Sequence, residues 1–212
     1  MILALLLAAK MVVVPQAPAA SVAPGRDVPA PGTRVATARR TQAGRVVKVS
    51  TSMGDIRIAL DEKSAPATVA NFLQYVREKH YDGTIFHRVI RKFMIQGGGM
   101  DASLRAVGSK HPPVRNESHN GLRNETGTIA MARTADPDSA TDQFYINVNG
   151  NAFLDARGDA PGYTVFGKVI SGLVVAKKIE AVETTSKPTD EGAAMSDVPV
   201  KPVTINSIRL EK

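Results

Sequence analysis

Apolar and polar positions alternate with a period of two along several short stretches of this chain. Val47, Val49 and Thr51 alternate with Lys48 and Ser50, Met53-Gly54-Asp55 gives a turn signal, and Ile56, Ile58 and Leu60 alternate with Arg57, Ala59 and Asp61. That pattern predicts a β-hairpin. The period then lengthens. Val69, Phe72, Leu73 and Val76 fall at i, i+3, i+4 and i+7, the stripe of an amphipathic helix. Ser64 is placed to cap that helix, with Pro66 in its first turn, and Tyr81-Asp82-Gly83 ends the segment. Further on, residues 128–132, 143–148, 164–169 and 203–208 read as strands. Leu173, Val174, Lys177, Ile179 and Val182 suggest a second, less regular helix. Residues 99–126 are polar, with His111-Pro112-Pro113 and several Asn and Gly, and read as a long surface loop that is either functional or mobile. Many strands with two helices argue for a closed β architecture with helical covers.

The stretch from Phe86 to Gly99 is the centre of this pattern. Two short apolar runs are separated by the basic pair Arg91-Lys92 and stopped by Gly97-Gly98-Gly99. Each run reads as a strand, the basic pair as a bend, and the glycines as a turn. Simple alternation puts Phe86, Arg88 and Ile90 on one face and Ile85, His87 and Val89 on the other. Both faces are largely apolar, so the strand is expected to be covered on both sides. Arg88 is then the anomaly: its stem can lie on apolar surface, but its head needs a partner or solvent. No acid neighbours it in sequence. Phe93, Met94 and Gln96 add an aromatic ring, a thioether and an amide. A charged donor fork beside such a patch suits a neutral ligand with carbonyls and an apolar ring. In residues 143–148, Phe144, Ile146 and Val148 make a core face, while Gln143, Tyr145 and Asn147 make an amphipathic one.

Three blocks in this order resemble the cyclophilin-type peptidyl-prolyl cis-trans isomerases. They are Phe86-His87-Arg88-Val89-Ile90 with Phe93-Met94-Ile95-Gln96-Gly97-Gly98; Gly127-Thr128-Ile129-Ala130-Met131-Ala132-Arg133 with Asp142-Gln143-Phe144-Tyr145-Ile146-Asn147; and Asn151-Ala152-Phe153-Leu154-Asp155 with Val165-Phe166-Gly167-Lys168-Val169. The resemblance spans residues 44–210, and Asn120-Gly121-Leu122-Arg123-Asn124 is most similar to the exported bacterial branch. It implies a mainly β protein, a closed eight-stranded antiparallel barrel capped by two α-helices. It also implies catalysis by Arg88, a proline pocket lined by Phe93, Met94, Tyr145 and Leu154, and peptide orientation by Gln96 and Gln143. Ala132 and Arg133 match backbone contacts to the substrate chain, and His87, Phe153 and Tyr163 match the remaining groove positions. The implied substrates are proline-containing unfolded or flexible polypeptides, the implied enzyme a monomer without cofactor. Phe153 stands where the best-known eukaryotic members carry tryptophan, and Tyr163 where they carry histidine. Loss of the indole donor implies weak cyclosporin binding. The alternative reading is a proline-peptide binding module or holdase chaperone without turnover.

Composition narrows the picture. The net charge is +7, of which +4 lies in the first forty residues, so a nucleic-acid partner is not expected of the remainder. With no cysteine, disulfides, thiolate metal sites and a thiol nucleophile are excluded. His80, His111 and His119 show no ligand spacing, so no metal is expected. Residues 1–20 begin with an apolar run, broken by Lys10, and continue into a small-residue stretch where Ala17-x-Ala19 suits signal-peptidase cleavage. No basic residue precedes the run. Export to the periplasm, without stable membrane insertion after processing, is the expectation. A mis-assigned start codon, an uncleaved anchor, or a cytoplasmic protein if the segment is not a working signal are its alternatives. Residues 21–43, rich in Pro, Ala, Gly and Arg, read as a flexible linker, and residues 44–212 as the domain.

Overall fold

A computed structural model describes residues 44–190 and 192–211; the expected leader and linker lie outside them. The expected hairpin is β1 (Val46–Thr51) and β2 (Gly54–Leu60). Helix α1 (Pro66–Arg77) follows, then β3 (Phe86–Ile90), β4 (Met94–Gly97), β5 (Thr128–Met131), β6 (Phe144–Asn147) and β7 (Val165–Ser171). Helix α2 (Leu173–Glu180), β8 (Thr184–Pro188), β9 (Ala194–Pro199) and β10 (Ile205–Leu210) complete the chain.

Eight strands form one antiparallel sheet in the order β10-β1-β2-β7-β5-β6-β4-β3, while β8 and β9 make a separate ribbon. The sheet curls strongly until its two edges meet. They meet through a short seam instead of a full ladder, so the barrel is less closed than expected. Ile85 bridges Thr204, and the Phe86 N–H donates to the Val203 carbonyl at 2.9 Å. Pro202 lies just before β10 and has no N–H to add to the pairing. The ribbon was not expected from the sequence. Its strands are mostly exposed, with no apolar alternation to announce them.

The core fills the inside of the curl. Val47, Val49, Ile56, Ile58, Phe144, Ile146, Ile205 and Ile208 project from the sheet, and Val69, Phe72, Leu73 and Val76 from α1. The Phe72 ring lies 5.2–5.8 Å from the rings of Tyr81, Phe144 and Phe166. On α2 the buried apolar side chains are Val175, Ala176 and Ile179, whereas Val174 is exposed. The sheet selects a different stripe from the expected one because three adjacent apolar residues, Leu173 to Val175, leave the helical phase ambiguous.

Ser64 does not cap α1. Its N–H and hydroxyl donate to Asp61 instead, and the cap position is Ala65, with no side-chain bond. The free amides at the helix start are taken by Glu117 from the long loop. Its carboxylate accepts from the Ala67 N–H at 3.1 Å, the Thr68 N–H at 2.9 Å and the Thr68 hydroxyl at 2.7 Å. A carboxylate there also meets the positive end of the helix dipole. Replacing Glu117 with Ala is therefore expected to lower stability by about 1–2 kcal/mol, in the range of lost helix caps. Urea unfolding of the variant checks this; an unchanged midpoint would mean that the carboxylate holds nothing.

Candidate active site on the outer face of the sheet

An extra residue in β3 decides where Arg88 points. Phe86 pairs with Gly97 and Arg88 pairs with Gln96, so His87 is the unmatched residue of a β-bulge. The bulge breaks simple alternation. Phe86 and Val89 both join the main core, and Arg88 is left on the opposite face. The expectation that Phe86 shares a face with Arg88 is thus corrected.

Arg88 stands opposite Gln96, Gln96 opposite Tyr145, and Tyr145 opposite Ala130. Directly opposed residues share a face, so four strands contribute to one row. Beside it, Phe93, Met94, Ala132, Tyr145, Leu154 and Val165 form a buried apolar cluster, against which Ile90, Phe153 and Tyr163 pack. Phe93 and Phe153 lie 5.5 Å apart between ring centres, and Tyr145 and Tyr163 6.1 Å apart. This aromatic-rich cluster and the Arg88 side chain, 13% exposed, lie on the same face of the sheet.

Several polar side chains around this cluster are held by hydrogen bonds. Gln96 donates from Nε2 to Gln143 Oε1 at 3.1 Å. Gln143 lies directly over Gly99, where a Cβ would fall 2.4 Å from its Nε2. The glycine run therefore makes room for this glutamine as well as turning the chain. Arg133 spends its guanidinium on carbonyl groups, donating to Gly162 at 3.2 Å, Thr134 at 2.9 Å and Pro161 at 3.2 Å. It also covers the Tyr163 ring, 4.4 Å from its centre. Ala132 follows β5 and donates its N–H to the Gln143 carbonyl at 3.0 Å. His87 is almost fully buried.

Burial lowers the Arg88 guanidinium from its ordinary value, and the neighbouring Asp197 carboxylate opposes that change. An arginine stays charged under such a shift. Burial also pushes the Tyr145 phenol well above its usual value, so it remains a neutral donor. Its hydroxyl donates to Asn124 Oδ1 at 2.8 Å.

Two residues here escaped the sequence. Asn124 joins Tyr145, Asn147 and Asp155, accepting from the Asn147 amide at 3.2 Å and donating its N–H to Asp155 at 2.7 Å. A buried tyrosine on a core strand needs a hydroxyl partner, and that need was the available signal. Asp197, whose Oδ2 lies 3.8 Å from Arg88 Nε, comes from the unexpected ribbon. Nothing local marked it. The remaining histidines are engaged apart from one another: His80 with Asp142 at 2.8 Å, His111 with Glu78 at 2.9 Å, and His119 with the Gly158 carbonyl at 3.0 Å.

Residues 46–210 match the model of the family described as cyclophilin type peptidyl-prolyl cis-trans isomerase. Peptidyl-prolyl cis-trans isomerase A of Dickeya dadantii is 49% identical over 166 residues, covering 78% of this chain and 84% of that protein. Peptidyl-prolyl cis-trans isomerase B of Escherichia coli is 45% identical over 164 residues, covering 76% and 99%. Among solved structures, a cyclophilin type isomerase of Cryptosporidium parvum, crystallised in the presence of the dipeptide Ala-Pro, superposes with a TM-score of 0.64. That match is 24% identical and covers 79% of this chain and 99% of the other, a likeness of fold.

His87 generates a pH prediction. Burial, helped by the adjacent Arg88 charge, lowers its imidazole from 6.5 to about 4. Between those values the unfolded chain takes a proton that the folded chain refuses. The stability is whole above pH 6.5 and is lost as pH falls toward 4. At about 1.36 kcal/mol per pH unit, the loss reaches about 3 kcal/mol. His87→Gln is expected to flatten that part of the stability curve by the same amount, measured by urea unfolding at stepped pH. Parallel curves for the two proteins would contradict it.

Proposed function

This chain belongs to the cyclophilin-type peptidyl-prolyl cis-trans isomerases, and from that premise we propose that it accelerates X-Pro isomerisation in flexible polypeptides through Arg88. The reaction needs no nucleophile, proton relay or metal. Amide resonance sets a barrier of about 18–20 kcal/mol, so catalysis requires a setting that prefers the twisted amide. In that state the nitrogen lone pair is no longer delocalised and can accept a hydrogen bond. A fixed guanidinium aimed at it binds the transition state better than either planar ground state.

The row Arg88–Gln96–Tyr145–Ala130 supports this reading most directly, because it has a charged donor on the same face of the sheet as a buried apolar cluster. Phe93, Met94, Tyr145 and Leu154 would hold the proline ring. Gln96 and Gln143, already bonded to each other, would orient the peptide, and Ala132 has no bulk to obstruct its backbone. The Phe153 side of the groove offers area without an indole donor, which supports weak cyclosporin binding. X-Pro bonds isomerise unaided over tens to hundreds of seconds, slowly enough to limit folding. Unfolded chains are the corresponding substrates, and a monomer suffices to carry the site.

Arg88→Ala tests the proposal. One charged hydrogen bond contributes roughly 1.5–3 kcal/mol net, which corresponds to a loss of about 10- to 150-fold in kcat/KM. Peptide affinity should change little, since the socket is untouched. Lysine should not restore the rate, because a point ammonium lacks the planar fork. NMR exchange on a short X-Pro peptide gives both quantities. If wild type binds the peptide but does not accelerate exchange, the protein is a binding module.

Export is supported by the apolar start of the chain and by Ala17 and Ala19. Fractionation of a Gram-negative host producing the full chain is expected to yield periplasmic protein beginning after Ala19. Cytoplasmic protein with an intact Met1 contradicts that reading.

A further inference from the structure

The β8–β9 ribbon packs alongside β3, and its two strands are out of step. Thr185 pairs with Val198 and Lys187 with Met195, so Ser196 and Asp197 together oppose Ser186. This is a β-bulge, with Asp197 in the left-handed region at φ 62. Glycine is the residue usually found in such a position, and aspartate and asparagine are the next best tolerated. The bulge has two consequences. Met195 and Val198, three positions apart, both enter an apolar cluster with Ile85 and Leu104, which fastens the ribbon to the residue preceding β3. Of the two residues between them, Ser196 and Asp197, the second is turned toward Arg88.

We propose that Asp197 is a positioning residue for Arg88, holding the guanidinium from its Nε edge so that the terminal nitrogens address the socket. The proposal rests on the reading of Arg88 as the catalytic donor. Nε is the guanidinium nitrogen nearest the carboxylate, at 3.8 Å from Oδ2. That distance is an ion pair and not a hydrogen bond, so it restrains the head without capturing it. Ser196 Oγ donates to the same Oδ2 at 3.1 Å and fixes the carboxylate in turn. Both charged groups are largely removed from water, at 13% and 28% side-chain exposure, so the pair is weakly screened. A long side chain rooted on an edge strand has many rotamers, and a fixed carboxylate removes those that swing it away from the substrate.

Three variants test this: Asp197→Asn, Asp197→Gly and Asp197→Asn combined with Arg88→Ala, with Arg88→Ala alone as reference. Asparagine keeps shape and left-handed tolerance, and glycine suits the backbone better than aspartate, so both keep the fold, checked by thermal unfolding. Saturating-peptide NMR exchange is expected to show kcat reduced about three- to tenfold in both single variants, with peptide Kd within twofold of wild type. The Arg88 Nε–H resonance is expected to broaden. In the Arg88→Ala background the Asp197→Asn change should have no further effect. Unchanged or increased kcat in the single variants overturns the proposal, as does an equal loss in the presence and absence of Arg88, which would mean general damage to the ribbon. If Arg88→Ala itself is fully active, the reading of Arg88 has failed; if it is impaired and Asp197→Asn is not, only the role of Asp197 has.

Discussion

The register of β3, β4, β6 and β5 is the constraint on which this molecule depends. Two adjacent rows cross these strands. Phe86, Gly97, Phe144 and Met131 form one, and Arg88, Gln96, Tyr145 and Ala130 the other. The first faces the main core and the second lies on the opposite face, with the outer apolar cluster. A slip by one residue would exchange them and bury a guanidinium in the core. The register is held sterically. A Cβ at Gly97 would meet the Ile85 carbonyl at 2.9 Å and the Phe86 ring at 3.1 Å, so only glycine admits the ring over the strand. Phe86 and Phe144 then meet edge to face with centres 6.2 Å apart.

A surface built on such a sheet is stiff, and stiffness is what the proposed mechanism, stabilising a twisted amide, requires. The loops around the groove are tied back to the sheet. The Phe93 carbonyl accepts from Val148 at 3.1 Å and from the Asn151 amide at 2.9 Å, fixing one wall. Asn124 couples the long loop to Tyr145 and to Asp155, next to the Ala152–Leu154 turn that carries Phe153. Charges are used sparingly. Arg133 is absorbed by carbonyl groups, and Asp197 is the acid near Arg88.

Each helix is tied to a distant segment through a carboxylate. Glu117 serves the start of α1, and Glu180 on α2 accepts from the Lys92 N–H at 2.5 Å in the bend between β3 and β4. Lys177 lies 3.0 Å from the same carboxylate. The long polar loop is therefore structural along much of its length, with Val114 also bridging Ala140. Its polarity reflects satisfied backbone and capping groups, since an ordered loop must pair the amides that a strand or helix would pair for itself.

The sequence by itself determined the order and type of nearly all the elements, because hydrophobic period is a local property that burial on one or two faces imposes directly. It also contained the parts of the site, since Arg88 between apolar neighbours and Gln143, Tyr145 and Asn147 on one face of a strand are visible without coordinates. Only tertiary structure decided which of these parts meet. The bulge at His87 follows from the fit of Phe86 over Gly97, two chain segments whose contact no periodicity encodes. The ribbon carries too few apolar positions to be read as strands, yet it delivers Asp197 to Arg88 from 109 residues away. Ser64 matched the local rule for a cap and lost to Glu117, because a carboxylate brought in by folding satisfies several donors at once. Local pattern sets what each segment can become, and the competition among distant partners for the same buried groups sets what it does.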